Sequence, residues 1–408
     1  MTAFAYAKLP FEIRADLQEA YRDAWDSLAS PGAWWSGAAR VAIAQEVRSA
    51  YDCVFCAERK AASSPIAPID GGHNTSSALP AVVVDTIHRL CTDPSRLTQS
   101  WLQEATSGHD LSIEQYVEII SVVTTVMSID TFHQVLGFDL EPLPNPGHGL
   151  PSRYIPNGLE HNKAWVPIIK YLDQPETDLW ASRQVTNIMR ALSLVPDAVR
   201  LLKRMSSTQY LSMGDSANPY AKADRALSRA QIELIAGRVS ALNDCFYVTS
   251  SHSTMLCVIG EINAQPPNLQ AVVAGSGTES KVPHGALLIA LAEEALATPR
   301  DEDRLASLRA SIIERLGSEA LVDAAAVIGN FQRMVRIADG TGIPLDRSIA
   351  LMGAAIREEL ALDKFGSADL TPKVNRLLGW LGDKARGPLY SKMSRRRVEP
   401  APAGDAAA

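Results

Sequence analysis

The chain has 408 residues, 46% of them hydrophobic and 21% charged, with a formal net charge of −7. This composition suits a globular protein long enough for two domains and argues against disorder as its general state. The acidic balance argues against a nucleic-acid partner. With no basic-then-apolar leader and no run of 18 apolar residues, a cytoplasmic protein with no membrane partner is expected.

The chain reads as helical nearly throughout. Residues 36–61 place Val41, Ala44, Val47, Ala50 and Val54 three and four apart, as one face of a helix requires. Residues 114–137 do the same with Tyr116, Ile119, Val123 and Val126, and the pattern recurs over 227–248, 285–297, 302–316 and 318–338. Two β-branched runs, Val82 to Val84 and Ala271 to Val273, are candidate strands. Proline and glycine mark breaks at Pro31-Gly32, Gly71-Gly72, Pro266-Pro267 and Gly340 to Pro344. The segment from Glu141 to Asn162 is rich in Pro, Gly and Asn and reads as a connection, after which a helix is expected near Asp178 to Met189. The end, 387–408, is basic and then Pro/Ala-rich, and is expected to be disordered.

Five cysteines in a chain of this length do not make a disulfide scaffold. Thiols in the cytosol stay reduced, so a close pair there is more often catalytic or metal-binding. That pair is Cys53 and Cys56. Cys91, Cys245 and Cys257 stand apart, and Cys91 and Cys257 read as small buried hydrophobes.

The sequence also repeats itself. ARVAIAQEVRSAYDCVFCAERKAA aligns with IELIAGRVSALNDCFYVTSSHSTM, so that Cys53 falls on Cys245, Cys56 on Val248 and Lys60 on His252, an offset of 192. Downstream, LPAVVVDTIHRLCTDPSRL resembles VPHGALLIALAEEALATPRDEDRL, and TFHQVLGFDLEPLP falls beside RIADGTGIPLD. The period is far longer than that of a solenoid. The simplest organisation is two all-α units, 1–150 and 191–386, joined by 151–190.

At this motif the chain resembles the alkylhydroperoxidase D-like and carboxymuconolactone decarboxylase-like family, whose pattern is Glu-x11-Cys-x-x-Cys-x3-His. The second copy matches with Glu233, Cys245 and His252 but has Val248 for the second cysteine. The first copy keeps both cysteines but has Val41 and Lys60 at the glutamate and histidine positions, and looks most like an alkylhydroperoxidase-related branch in which selenocysteine occurs in the pair. The resemblance implies two tandem helical domains, assembly into symmetric homo-oligomers, and thiol peroxidase or disulfide-reductase chemistry. It also implies that Cys56 is peroxidatic and Cys53 resolving. The partners would then be a small hydroperoxide and an external dithiol reductant.

Peroxide reduction needs a thiolate and a second thiol to resolve the sulfenic acid. Since the family's proton relay is absent from the first copy, another group must lower the thiol pKa. Glu46, Cys53, Cys56 and Lys60 lie at offsets 0, 7, 10 and 14, which is one face of a continuous helix. Lys60 is thus expected to favour the thiolate, and Glu46 to relay a proton or pair with a cation. His133, on a late helix, is a further candidate.

The second copy cannot close a disulfide within its motif, because Cys257 lies about 18 Å from Cys245 along a helix. It is expected to be structural, to shape an interface or pocket, or to complement the first copy across an oligomer. Two readings compete with thiol chemistry: acid/base catalysis of decarboxylase type by Glu233 and His252, and a non-catalytic oligomeric scaffold. No cofactor is expected, since no dinucleotide fingerprint is present. No metal is expected either: zinc takes four ligands, and His73, His88 or His133 would reach the cysteines only through folding.

Overall fold

The computed structural model describes residues 4, 6, 10–64, 69–171, 176, 178–180, 185–370 and 376–385. The expected tail at 387–408 lies outside them. The described residues are mostly helical. The first half holds α1 (Ala15–Ala29), α2 (Gly37–Tyr51), α3 (Val54–Ala61), α4 (Ala81–Thr92), α5 (Gln99–Ala105) and α6 (Ile113–Leu136). A two-residue hairpin follows, β1 (Leu159–Glu160) antiparallel to β2 (Ile168–Ile169), with Leu159 opposite Ile169. The second half runs through α7 (Asn187–Arg190), α8 (Pro196–Gln209), α9 (Met213–Ser216), α10 (Arg229–Leu242), α11 (Phe246–Ile262), α12 (Gln270–Ala274), α13 (Gly285–Leu296), α14 (Glu302–Leu316) and α15 (Ser318–Thr341). It closes with α16 (Arg347–Met352), α17 (Ala354–Glu359) and α18 (Arg376–Lys384).

Corresponding helices begin at matching places. The starts of α2 and α10, and of α3 and α11, are both 192 residues apart. The helices α4 and α13 each have 12 residues, and α6 and α15 each have 24. Local chemistry sets these limits. Ser36 caps α2 by accepting from the Ala39 amide, while Ser112-Gln115 and Ser228-Gln231 form reciprocal capping boxes on α6 and α10. Gly137 and Gly342 end the two long helices in the left-handed region, which glycine enters without a Cβ clash.

The helices α6 and α15 pack against each other at the centre. Gly329 makes the approach close: a Cβ there would lie 2.4 Å from the Ser128 carbonyl oxygen. One apolar cluster runs from Leu17 through Val123 and Val199 to Ile328 and Leu362, so both halves share it. Among the described residues α6 alone is long and apolar enough to cross a membrane, and 94% of that window is buried inside the protein.

Two local expectations need correction. Val82 to Val84 and Ala271 to Val273 are helical, in α4 and α12; a short apolar run fits a buried helix face as well as a strand. The helix expected over 178–189 is confined to α7, after Thr186 in extended backbone, with 181–184 outside the described residues.

Candidate functional site

The motif helix is not continuous. It stops at Tyr51, Asp52 leaves helical geometry, and Cys53 (φ −75°, ψ 109°) becomes the N-cap of α3. The single-face arithmetic therefore fails, because four residues on two helices do not share one stripe. Lys60 is exposed, and its charge acts on Asp244, where it opposes the rise that burial imposes on that carboxyl. The cation beside the pair is Arg59, whose Nη2 lies 3.7 Å from Cys56 Sγ. His133 is also elsewhere. It is buried at the C-terminal end of α6, with Nε2 2.8 Å from the Tyr6 hydroxyl and Nδ1 2.7 Å from the Asp139 carbonyl oxygen. Its neighbours are Phe4, Phe132 and Phe138, a structural setting.

What surrounds the cysteines comes from two other segments. His73, on the connection between α3 and α4, places Nδ1 3.8 Å from Cys53 Sγ and 3.5 Å from Cys56 Sγ. His88, on α4, places Nδ1 3.2 Å from Cys56 Sγ. Each ring turns its far nitrogen to a carboxylate: His73 Nε2 lies 2.9 Å from Asp85 Oδ1, and His88 Nε2 lies 3.4 Å from Glu46 Oε2. A carboxylate accepts the Nε2 proton and so leaves the Nδ1 lone pair facing sulfur. Glu46 thus joins the site, through His88 rather than by sharing a helix face. Thr75 Oγ1 at 2.5 Å and the Ser76 amide at 2.9 Å also donate to it. Asp85 in turn accepts from Arg59 at 2.6 Å and Arg89 at 2.7 Å.

Both sulfurs are nearly covered, Cys53 at 4% and Cys56 at 1% exposure, and all five cysteines are free. Their shell is polar all the same. Burial pushes the Cys56 thiol up to about 12, against the pull of Arg59. Burial also acts on Cys53, but hydrogen bonding with the Asn74 backbone, His73 and Cys56 outweighs it and brings the thiol down to about 7. Burial, then the charge of His73, takes His88 down to about 4, so it is neutral near pH 7. Glu46 is held below the ordinary carboxylate value: burial opposes this, and bonds from Ser77, Thr75, His88 and Ser76 overcome it.

The second motif has the same backbone and different contents. Cys245 is the N-cap of α11 at φ −83°, ψ 106°. It is fully buried, and burial together with Asp339 pushes its thiol well up. Glu233 is buried; its Oε2 lies 2.6 Å from His252 Nδ1, and its Oε1 accepts from Tyr210 at 2.5 Å and Arg229 at 2.7 Å. Burial opposes ionisation of Glu233, yet Arg229, His252 and Tyr210 bring its pKa down to about 2. His252, Tyr210, Tyr247 and Met255 line a cavity of about 850 Å³. Cys257, read from sequence as a buried hydrophobe, is half-buried and 3.7 Å from Glu261 Oε1.

Sequence reading weighed His73 and His88 only as metal ligands that folding might deliver, and passed over Asp85 and Arg59. The available signal was Asp85-x-x-His88-Arg89, charged residues breaking an otherwise apolar helix. No family profile, curated protein or solved structure matches the chain.

Proposed function

We propose that the first half is a dithiol–disulfide redox centre that reduces small hydroperoxides, in the manner of the alkylhydroperoxidase D-like family. One observation carries this reading: Cys53 and Cys56 converge on a single imidazole nitrogen, His73 Nδ1. The shared partner holds the two sulfurs within 4.8 Å of each other, the proximity that disulfide closure starts from. The polar shell supports proton transfer, with Cys56–His88–Glu46 and Cys53–His73–Asp85 each ending on a carboxylate.

In this cycle Cys53 is the attacking sulfur, reversing the roles that resemblance implies. It sits at the N-terminus of α3, beside the exposed Asp52 and Val54, whereas Cys56 is wedged between His88 and Arg59. Peroxide approaches from the side of His73, whose side chain is 11% exposed against 0% for His88. The Cys53 thiolate attacks the terminal oxygen of ROOH, the O–O bond breaks, and ROH leaves with a proton from the shell. Cys56 then displaces water from the Cys53 sulfenic acid to close the disulfide. An external dithiol restores the pair by exchange.

The matched helix starts support a finer reading of two tandem family domains fused on one core. Self-association and a reducing cytoplasmic setting complete the proposal, with neither nucleic acid nor membrane as a partner. The test is mass spectrometry of the reduced chain after one equivalent of organic peroxide. A loss of two hydrogen atoms from the peptide holding Cys53 and Cys56 is expected, and an unchanged mass there overturns the reading.

A second reading is acid/base catalysis in the second half, supported by the Glu233–His252 pair at the wall of the cavity. With Nδ1 donating to Glu233, Nε2 of His252 is an acceptor suited to proton abstraction. His252→Ala separates the readings: it spares peroxide reduction and removes any peroxide-independent activity.

A further inference from the structure

We infer that the reduced first-half cluster is a tetrahedral site for a divalent ion of the zinc class, held by Cys53 Sγ, Cys56 Sγ, His73 Nδ1 and His88 Nδ1. These four atoms lie within 4.8 Å of one another. With Zn–S of about 2.3 Å and Zn–N of about 2.0–2.1 Å, a tetrahedron sets sulfur and nitrogen about 3.5 Å apart. Three of the four sulfur–nitrogen distances are 3.2, 3.5 and 3.8 Å, and the fourth, Cys53 to His88, is within 4.8 Å. Two thiolates and two imidazoles form a donor set that selects zinc over magnesium or calcium.

The outer contacts make the same case. A zinc-bound histidine ordinarily donates its other N–H to a carboxylate or carbonyl, which fixes the tautomer and aims the lone pair. Both histidines have such a carboxylate, Asp85 for His73 and Glu46 for His88. Charge closes as well. A 2+ ion cancels two thiolates, while Arg59 and Arg89, both on Asp85, balance the carboxylates of Asp85 and Glu46. A buried cluster that is neutral overall avoids the cost of an unpaired interior charge. With four protein ligands the ion has no open position, so it holds the sulfurs and does not itself activate water.

Bound zinc would keep both sulfurs as metal thiolates and shield them from peroxide. The ion is then a brake on the dithiol chemistry, and this regulatory part rests on the redox reading above; the binding part does not. When the brake is overcome, two thiolates, one ROOH and two protons yield the disulfide, ROH and water. The two electrons pass from sulfur to the O–O bond, and Zn²⁺ leaves unchanged.

The experiment uses the full chain, reduced and stripped by a chelator, titrated without oxygen with Co²⁺ and then with Zn²⁺ alone. One equivalent of Co²⁺ should produce sulfur-to-cobalt charge transfer with the intense visible bands of tetrahedral cobalt, and Zn²⁺ should bleach them. His73→Gln should weaken Zn²⁺ binding at least about 100-fold, beyond the 10–100-fold typical of an outer contact such as Asp85→Asn. Because His73 is partly exposed, its variant keeps the test open if His88→Gln fails to fold. Cys245→Ser should bind like the parent. A pale octahedral cobalt spectrum, or His73→Gln binding undiminished, overturns the metal site. For the brake, peroxide should form the disulfide more slowly in zinc-loaded than in metal-free protein, releasing one Zn²⁺ per disulfide; equal rates overturn it. Failure of the metal-free protein to form any disulfide sinks the redox reading and with it the brake, leaving the binding result standing.

Discussion

Cys53 and Cys245 each sit one residue ahead of a helix, with backbone angles that differ by only a few degrees. Their thiols nonetheless meet opposite surroundings. Side chains from elsewhere in each half decide this: His73 and His88 reach the first pair, whereas Asp339 of α15 reaches Cys245. Counting from their first residues, Asp85 and His88 of α4 fall where α13 has Ile289 and Ala292, both fully buried. α4 thus brings a carboxylate and an imidazole to the first site, while α13 carries buried aliphatic side chains at the matching steps. Cys56 gives way to Val248 in the same exchange. Conversely, the Glu/His pair of the second half stands where the first has Val41 and Lys60, and it faces a cavity rather than a sulfur. A recurring motif can therefore keep its local backbone while the side chains around it differ.

The comparison is broken most severely at the cysteines. Cys53→Ser should abolish thiol-dependent peroxide consumption, whereas Cys245→Ser leaves its rate unchanged in a coupled reductant assay. A slowed rate in the second variant would show that the halves are not chemically separate.

Next in size is Glu233→Gln. It removes the buried charge that Arg229 pairs with, leaving that guanidinium with the carbonyls of Asp215 and Ser216, and a loss of about 3–5 kcal/mol is expected from denaturant midpoints. The pH dependence has a definite sign. The folded pKa of Glu233 is depressed to about 2. Its stabilisation is complete above the ordinary value of about 4.3 and is lost as pH falls from there toward 2. Parent and variant should converge in stability over that window, and parallel curves would refute the assignment.

His133→Ala should cost about 1–3 kcal/mol by freeing the Tyr6 hydroxyl and Asp139 carbonyl, with peroxide turnover retained. The smallest effects are the sharpest tests of the frame. Lys60→Ala, at an exposed site, should stay within about 0.5 kcal/mol and leave the pH profile of Cys53 alkylation unmoved. Val248→Cys restores a cysteine pair in the second half, yet should add no peroxide turnover, because full burial and Asp339 hold the Cys245 thiol well above its ordinary pKa.

Helical periodicity and the repeated motif made part of the element order readable from the chain. α6, α13, α14 and α15 lie where apolar spacing puts them, since a helix of that length declares itself by its own pattern; α2 and α10 begin where expected but stop at Tyr51 and Leu242, inside the spans 36–61 and 227–248. The cysteine pair and Glu46 were likewise legible as candidates. The break at Asp52–Cys53 was not, because apolar spacing continues across it and only the backbone angles reveal the new N-cap. Lys60 and His133 were misplaced for related reasons: one relied on a helix that stops short, the other on a distance that spacing does not encode.

What the sequence alone determined is the helical frame, the recurrence of one motif and the presence of two thiols three residues apart. Which partners meet those thiols was decided by tertiary packing. His73 arrives 17 residues after Cys56 and His88 after 32, from a loop and a separate helix whose positions depend on how α4 packs against α2. Contacts of that range follow from the closing of a shared core, and no local periodicity records them.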